Sequence, residues 1–230
     1  MLLFDIDGTL LLAGDLHQRT FEVVLDEVLG LDVHPDWYRG YHGWTDKLII
    51  QDLLEQEGVP EAIIQASLEP CMKAMAAYYR DHLILETGKI MRGVKSFLTA
   101  VDRRGMLRGL VTGNIESIAR DKLARFGIES GFAIGGFGSD PHEIRADLIR
   151  LAIDRAEYRY NFIFTGKNAV YIADSPNDVR AARAASVPII IIDNALERDY
   201  DFSGLEPDLL LPDLRRAKDL FSFVEGLKQE

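Results

Sequence analysis

The 230-residue sequence has one cysteine, Cys71, and therefore no partner for an intramolecular disulfide. A chain without disulfides fits a reducing compartment, so we expect a cytoplasmic protein. A catalytic thiol needs a basic partner and an activating environment, and no cysteine-centred signature surrounds Cys71. We expect Cys71 to be a buried apolar residue rather than a nucleophile.

Long hydrophobic runs are also missing. No window approaches the ~20 apolar residues that a helix needs to span a bilayer. The first residues, Met1-Leu2-Leu3-Phe4-Asp5, lack the basic region and the longer apolar stretch of a secretory signal. These absences predict a soluble protein with no membrane partner.

Positive charge is scarce, because 26 Lys and Arg stand against 37 Asp and Glu and give a formal net charge of -11. Nonspecific nucleic-acid binding depends on clustered Lys and Arg that release counterions from the phosphate backbone. The composition therefore argues against a nucleic-acid partner. A small anionic substrate remains compatible if positive charge is gathered locally.

Hydrophobic residues make up 47% of the chain, enough for one large domain or for a core domain with a smaller one. From Lys89 onward, short β-branched runs alternate with stretches whose apolar residues recur every three or four positions. This alternation predicts an α/β fold with a doubly wound parallel sheet. The predicted strands are Leu107 to Thr112, Phe132 to Gly135, Val170 to Ala173, Pro188 to Ile192 and Leu209 to Leu211. The predicted helices are Gly93 to Arg104, Ile115 to Phe126, Pro141 to Ala156, Asn177 to Ala185 and Leu214 to Leu227.

Two further segments complete the predicted architecture. Leu2 to Asp5 is apolar until its last residue, as expected of a strand buried on both faces in the middle of a parallel sheet. The Gly-rich segment from Gly135 to Asp140 lacks the pattern of a nucleotide-binding loop and is interpreted as a flexible turn.

The region between Leu16 and His82 shows helical periodicity without a convincing strand. Its predicted helices are Thr20 to Leu29, Thr45 to Gln56 and Glu61 to Asp81. We therefore expect a smaller all-helical cap domain, residues 15–86, inserted after the first strand into a core formed by residues 1–14 and 87–230. The glycine-containing connections, Ala13-Gly14-Asp15 and Glu86-Thr87-Gly88, are candidate hinges.

The segment Asp5-Ile6-Asp7-Gly8-Thr9-Leu10 places two carboxylates at the end of an apolar strand, followed by the glycine of a sharp turn. Ligands of open α/β sheets bind at this end of the strands, so carboxylates there have water, metal or substrate as partners. A polar loop with no function is the simpler alternative. The segment closely resembles the nucleophile motif of the haloacid dehalogenase superfamily, in the version used by its phosphatases and phosphomutases.

The resemblance implies a two-step reaction. Asp5 would attack phosphorus in line and form an aspartyl-phosphate, while Asp7 would protonate the leaving oxygen and later accept a proton from water. A carboxylate nucleophile divides one difficult displacement into two easier ones, and a positioned acid/base contributes a further ~10² to 10⁴-fold.

A second acidic motif, Asp174-Ser175-Pro176-Asn177-Asp178, follows another apolar run and resembles the metal-binding motif of the superfamily. The resemblance implies a Mg²⁺ cofactor held by Asp5, Asp7, Asp174 and Asp178, with Asp178 mainly orienting its neighbours. Hard oxygen ligands suit Mg²⁺ better than zinc. Ala173 departs from the usual glycine before the acid, and a helix-capping Asp174 is the alternative interpretation.

The phosphate-binding position of the resemblance falls on Thr112-Gly113-Asn114. Thr112 would hydrogen-bond a phosphoryl oxygen, and the backbone N–H groups of Gly113 and Asn114 would add donors at a helix N-terminus. The superfamily also uses a cation, usually Lys, before the second acidic motif. Arg145 is our candidate, with a surface arginine as the rival interpretation and Lys122 and Lys167 as weaker choices.

The predicted cap contains Tyr41-His42-Gly43-Trp44-Thr45-Asp46, which resembles a Gly-x-Thr-Asp segment in caps of phosphoglycolate phosphatase-like members. We predict that Thr45 binds substrate, although aromatic residues in a helical insert more often form its core. A role of His42 as a catalytic base is less favoured.

Together the motifs predict a Mg²⁺-dependent phosphomonoester hydrolase acting through an aspartyl-phosphate. Its expected partner is a small phosphorylated metabolite, phosphoglycolate first, with sugar phosphates and nucleoside monophosphates next. The alternatives are a sugar phosphomutase similar to β-phosphoglucomutase and a noncatalytic phosphate-binding protein. We expect a monomer or a homodimer.

Overall fold

A computed structural model describes residues 1–33, 37–142, 144–194 and 200–227, apart from the side chain of residue 39. Within these residues the strands are β1 (Leu2–Phe4), β2 (Leu11–Leu12), β3 (Lys89–Ile90), β4 (Arg108–Thr112), β5 (Phe132–Phe137), β6 (Val170–Ala173), β7 (Ile189–Ile192) and β8 (Leu209–Leu211). The α-helices are α1 (Leu16–Leu29), α2 (Asp46–Gln56), α3 (Glu61–Asp81), α4 (Val94–Arg103), α5 (Glu116–Arg125), α6 (Arg145–Tyr160), α7 (Pro176–Ala185) and α8 (Ala217–Gly226). Short 3-10 turns cover Trp37–Gly40, Leu83–Leu85 and Leu214–Arg216.

Six strands form one sheet in the order β5-β4-β1-β6-β7-β8. Every neighbouring pair in this sheet is parallel. The first strand lies in the middle, with Leu3 opposite Gly109 on one side and Tyr171 on the other. The predicted doubly wound parallel sheet and the central place of its first strand are confirmed.

The sheet is buried on both faces because successive residues of a strand point to opposite sides. Leu2 and Phe4 of β1 join a hydrophobic cluster with residues of α4, α5 and α8. Leu3, between them, joins a second cluster with residues of α6 and α7. The all-apolar sequence of β1 therefore follows from a strand that packs against helices on both sides.

The insert after the first strand is helical, as predicted. Helices α1, α2 and α3 share a third hydrophobic cluster, which includes Leu25, Ile50 and Met75 and extends to Ile115 and Ile118 beside the core. The two chain passages into the insert are joined by the antiparallel pair β2 and β3. At two residues each, these strands are too short for alternation to reveal them. The division into residues 15–86 and the flanking core segments stays a prediction.

Several predicted boundaries are wrong. The first cap helix begins at Leu16 instead of Thr20, since Leu16 already belongs to the buried face and its carbonyl accepts the Thr20 hydroxyl at 2.8 Å. The helix predicted from Pro141 begins at Arg145, because Ile144 has extended backbone angles. Glu143, within the predicted start, lies outside the described residues.

The glycine-rich segment from Gly135 to Asp140 differs in part from the prediction. Strand β5 runs on to Phe137, with Gly135 opposite Leu110 and Gly136 opposite Val111, and residues 138–140 form a turn after it. A Cβ at Gly136 would lie 2.1 Å from the carbonyl oxygen of Leu148. Glycine is present here because α6 packs directly on the strand backbone, which is a packing requirement and not a sign of a flexible turn.

No helix among the described residues combines the length and apolarity required to cross a bilayer.

Candidate active site

The candidate site lies at the carboxyl end of the central strands. Asp5, Thr112 and Asp174 follow or end β1, β4 and β6, which are neighbours in the sheet. Because parallel strands end at the same edge, these side chains meet beneath the helical insert. They line a cavity of about 270 Å³ between the sheet edge and the insert.

Asp5 is buried, and its Oδ1 accepts a hydrogen bond from Arg145 at 3.0 Å. Burial raises the pKa of Asp5 to about 7; the positive charge of Arg145 opposes the rise, and the carboxylates of Asp178 and Asp7 add to it. The predicted nucleophile thus stands in a region of concentrated negative charge.

Arg145, the first residue of α6, reaches into this region and is only 9% exposed. Besides Asp5, its guanidinium donates to the carbonyl oxygen of Gly43 in the insert and to that of Val111, both at 3.3 Å. Its Nε lies 3.5 Å from Oδ1 of Asp178. The structure excludes the interpretation of Arg145 as a surface residue.

Asp7 has different partners from Asp5. Its Oδ2 accepts from Lys122 Nζ and from the Asn114 amide, each at 2.7 Å. Burial alone would raise the pKa of Asp7, but the charges of Lys122 and His17 and these hydrogen bonds outweigh burial and lower the pKa to about 2. The two acids of the first motif therefore occupy different electrostatic environments.

Lys122 is 1% exposed and also contacts Asn114 Oδ1 at 2.7 Å and His17 Nδ1 at 3.2 Å. From the sequence, Lys122 is a weak candidate for the cation role because it lies in the middle of α5. Its neighbours on the helix face, Ile118 and Ala119, are buried. A lysine on the apolar face of an amphipathic helix is a sequence signal for a buried lysine with an acidic partner, and this signal could have identified Lys122. Lys167, the other weaker choice, is exposed.

Three carboxylates could hold a metal ion: Asp5, Asp174 and Asp178 each offer an oxygen within 4.8 Å of the others. Gly8 permits this arrangement, because at its φ of +98° a Cβ would lie 2.1 Å from Asp174. Three hard oxygen ligands fit Mg²⁺. The carboxylate of Asp7, predicted as a fourth ligand, is outside this group and contacts Lys122 and Asn114 instead.

Asp178 is fixed by the residues around it. The Tyr171 hydroxyl donates to its Oδ1 at 2.8 Å, and the Ser175 backbone N–H donates to its Oδ2 at 3.2 Å. The Ser175 side chain caps α7 in return, accepting from the backbone N–H of Asp178. Such support holds a ligand in one orientation.

The predicted phosphate-binding turn lies next to these acids. Thr112 is fully buried, and its hydroxyl oxygen accepts from the Asn114 amide at 2.7 Å. The Asn114 side chain thus connects Thr112, Asp7 and Lys122. A hydroxyl that accepts from Asn114 retains its own proton for another acceptor, as binding of a phosphoryl oxygen requires.

The insert closes on the same turn. A Cβ at Gly113 would lie 2.0 Å from the carbonyl oxygen of Trp44. Asp46 donates its backbone N–H to the Gly113 carbonyl at 2.8 Å, and its carboxylate accepts from the Ile115 backbone N–H at 2.8 Å and lies 3.2 Å from His17. The N-terminus of α5 is therefore partly occupied by an acid of the insert. Asp46 is the acid of the Gly-x-Thr-Asp segment, to which no separate role was assigned from the sequence, and no sequence motif pointed to His17.

Thr45, predicted to bind substrate, is 1% exposed and caps helix α2 by accepting the Leu48 backbone N–H at 3.2 Å. It is not one of the residues that line the cavity. On the insert side, the cavity lining includes six residues with ring side chains, together with Gln18, Asp46 and Ile49: Phe21, Trp37, Tyr38, Tyr41, His42 and Trp44.

Residues 2–192 match the family model described as haloacid dehalogenase-like hydrolase. The chain is 28% identical to a phosphoglycolate phosphatase of Nitrosococcus oceani over 231 residues, covering 96% of each chain.

Solved structures resemble the fold. The chain matches CbbY from Rhodobacter sphaeroides, solved in complex with phosphate, with a TM-score of 0.72, 21% identity and coverage of 93% of each chain. It matches a β-phosphoglucomutase from Clostridium difficile with a TM-score of 0.72 and 14% identity, covering 100% of this chain and 98% of that one.

Proposed function

The chain belongs to the haloacid dehalogenase-like hydrolases, and we propose that it is a Mg²⁺-dependent phosphomonoester hydrolase acting on a small phosphorylated metabolite. The observation that carries the proposal is the group of buried carboxylates from Asp5, Asp174 and Asp178 with the guanidinium of Arg145 against Asp5. A noncatalytic binder of phosphate would gain nothing from this much negative charge. The relative named phosphoglycolate phosphatase supports the same activity.

In the proposed reaction, a carboxylate oxygen of Asp5 attacks phosphorus in line and the bond to the ester oxygen breaks. Asp7 is the proposed acid/base: because its pKa without substrate is about 2, it has to take up a proton once the phosphate dianion is bound. It then gives that proton to the departing alcohol, and later takes one from the water that cleaves the aspartyl-phosphate. Free phosphate leaves and Asp5 is regenerated.

The surrounding residues bind and orient. The Thr112 hydroxyl and the backbone N–H of Gly113 hold phosphoryl oxygens, and Arg145 bridges Asp5 and the phosphoryl group in a forked geometry. Mg²⁺ held by Asp5, Asp174 and Asp178 would offset the charge of the phosphoryl dianion beside these carboxylates. The insert above the site limits access of bulk water.

The alternative of a sugar phosphomutase uses the same first step and differs in the fate of the phosphoryl group. A mutase returns it to another hydroxyl of the sugar, whereas a phosphatase gives it to water. Interconversion of β-glucose 1-phosphate and glucose 6-phosphate without accumulation of inorganic phosphate would identify the mutase.

The test is phosphate release from a panel of small phosphomonoesters, with Mg²⁺ and with a chelator. We compare the unaltered chain with Asp5→Asn and with a matched control, Asp154→Asn, whose carboxylate is exposed on α6. Mg²⁺-dependent release that Asp5→Asn abolishes and Asp154→Asn retains is the expected result. Absence of release from every ester would overturn the proposal.

A further inference from the structure

The wall that the insert presents to the active-site cavity is aromatic. Its rings form a chain: the ring centroids of Phe21 and Trp37 lie 5.0 Å apart, those of Trp37 and Tyr41 5.8 Å, and those of Tyr41 and Trp44 5.3 Å. All four residues line the cavity above the predicted phosphoryl site. We call these four residues the aromatic wall.

The polar atoms of Trp37 and Tyr41 in the aromatic wall have partners within the insert. The Trp37 indole N–H donates to Glu22 at 3.3 Å. The Tyr41 hydroxyl donates to Asp52 and accepts from Gln56. Since these atoms are engaged by neighbouring side chains, Trp37 and Tyr41 offer the substrate mainly ring surface.

The charges around the cavity are unevenly distributed. Among the described residues that line it, the lysine and arginine side chains are Lys122 and Arg145, and both come from the core. Each is paired with a catalytic-site acid, at 2.7 Å from Asp7 and 3.0 Å from Asp5. The insert contributes Asp46, which lies 3.2 Å from the cavity-lining His17, and the imidazole of His42. The carboxylates of Glu22 and Asp52 lie directly behind the aromatic wall.

A second anionic group on the substrate would therefore meet rings backed by carboxylates. Burying a charge without a partner is costly, whereas an uncharged ring gains from burial and from stacking on aromatic faces. Discrimination of this kind acts by rejecting the wrong substrate as well as by binding the right one.

We propose that the aromatic wall selects phosphomonoesters whose alcohol part is an uncharged ring, over esters that carry a carboxylate or a second phosphate. The inference rests on the proposed phosphatase function and narrows its substrate class. Under this proposal the preferred substrate of the chain differs from phosphoglycolate, the substrate in the name of a relative that is 28% identical.

The test compares kcat/KM for esters matched in reactivity. Benzyl phosphate and 4-carboxybenzyl phosphate differ by one remote charge, and 2-hydroxyethyl phosphate differs from 2-phosphoglycolate by the replacement of the carboxylate. We expect each neutral ester to exceed its charged counterpart by about tenfold or more, and benzyl phosphate to exceed 2-hydroxyethyl phosphate. The highest kcat/KM for 2-phosphoglycolate would overturn the inference and leave the phosphatase proposal intact. Absence of hydrolysis of all four esters, and of acetyl phosphate, would overturn both.

Two variants test the cause. Gln18 lines the cavity from α1, so Gln18→Lys adds a cation to the insert side and should raise kcat/KM for 2-phosphoglycolate relative to 2-hydroxyethyl phosphate. Trp37→Leu should lower kcat/KM for benzyl phosphate more than for acetyl phosphate, which has no ring. Tyr158→Leu, which removes a ring that is 94% exposed on α6, is the matched control and should change neither ratio. If Gln18→Lys leaves the kcat/KM ratio of 2-phosphoglycolate to 2-hydroxyethyl phosphate unchanged, and Trp37→Leu leaves that of benzyl phosphate to acetyl phosphate unchanged, the role of the aromatic wall is contradicted.

Discussion

At the scale of single residues, the ammonium of Lys122 and the carboxylate of Asp7 form a pair at 2.7 Å in which the lysine is almost completely buried. Two charges removed from water stabilise a fold only while both are present, because either one alone keeps its desolvation cost without the compensating attraction. The interaction energy of the pair can therefore be measured by comparing single and double variants.

We predict that Lys122→Met lowers the free energy of unfolding by about 2 kcal/mol, because it leaves the Asp7 carboxylate, which is 23% exposed, without its cation. Adding Asp7→Asn should recover part of that loss, since the double variant buries no unpaired charge. Urea unfolding of both single variants and the double variant measures the coupling. Strictly additive losses would show that the two charges do not depend on each other.

Asp5 gives a pH prediction for the metal-free protein. Its pKa is raised to about 7 in the fold, above the usual carboxyl value of 3.8, so the folded state binds this proton more tightly than the unfolded state. The contribution to stability is complete below the unfolded pKa and is lost as pH rises through about 7. Relative to Asp5→Asn, the unaltered chain should lose stability between about pH 4 and 7.5. Unfolding curves in a chelator that run parallel for both proteins would contradict this.

Arg145, the cation candidate from the sequence, lies in the structure with its guanidinium 3.0 Å from Asp5. We expect Arg145→Ala to lower kcat/KM by about 10² or more, because it removes a donor aimed at Asp5, the proposed nucleophile. Arg145→Lys should restore only part of the lost kcat/KM, since an ammonium cannot reproduce the forked contacts to Asp5, Gly43 and Val111. Thermal unfolding of each variant separates loss of activity from loss of fold. Unchanged turnover in Arg145→Ala would move the cation role to another residue.

At the scale of elements, the two chain passages into the helical insert are joined by one buried carboxylate. Glu86 accepts the backbone N–H of Gly14 at 2.6 Å, that of Gly88 at 2.8 Å and the hydroxyl of Tyr79 at 2.8 Å. These contacts connect the two segments that the sequence predicted as hinges. The insert is thereby tied to the core beside the β2 and β3 pair.

Removing the Glu86 carboxylate leaves two backbone donors and a hydroxyl without their acceptor. We predict that Glu86→Ala lowers the free energy of unfolding by about 1–3 kcal/mol, and that Tyr79→Phe, which removes one of the three contacts, costs less. Denaturant unfolding measures both. An equal or larger loss in Tyr79→Phe would indicate that the contact of Glu86 with the linkers contributes little.

The elements also show what sequence patterns reveal and what they miss. The apolar run before Asp5 and the alternation after Lys89 predict the sheet correctly, because burial on both faces leaves a strong local signal. The two-residue strands β2 and β3, and the strand role of Gly136, depend on contacts between distant segments and leave no such signal. The side chains of Lys122 and His17 meet for the same reason, across 105 positions of sequence.

At the scale of the whole molecule, the formal net charge is -11 and three buried carboxylates converge at one point. A divalent cation that binds there stabilises the folded state by mass action. We predict that millimolar Mg²⁺ raises the Tm of the unaltered chain, and that Asp174→Asn removes most of the shift whereas Asp154→Asn keeps it. A thermal shift measures this without any substrate. A shift of equal size in Asp174→Asn would place the ion elsewhere.

The central claim is that Asp5 carries the phosphoryl group during turnover, and rapid quenching with acid during hydrolysis of a radiolabelled ester tests it most directly. Digestion and mass spectrometry should locate one phosphoryl group on the peptide that contains Asp5, and Asp5→Asn should show neither the label nor phosphate release. Steady release of phosphate with no labelled peptide, retained in Asp5→Asn, would contradict the account.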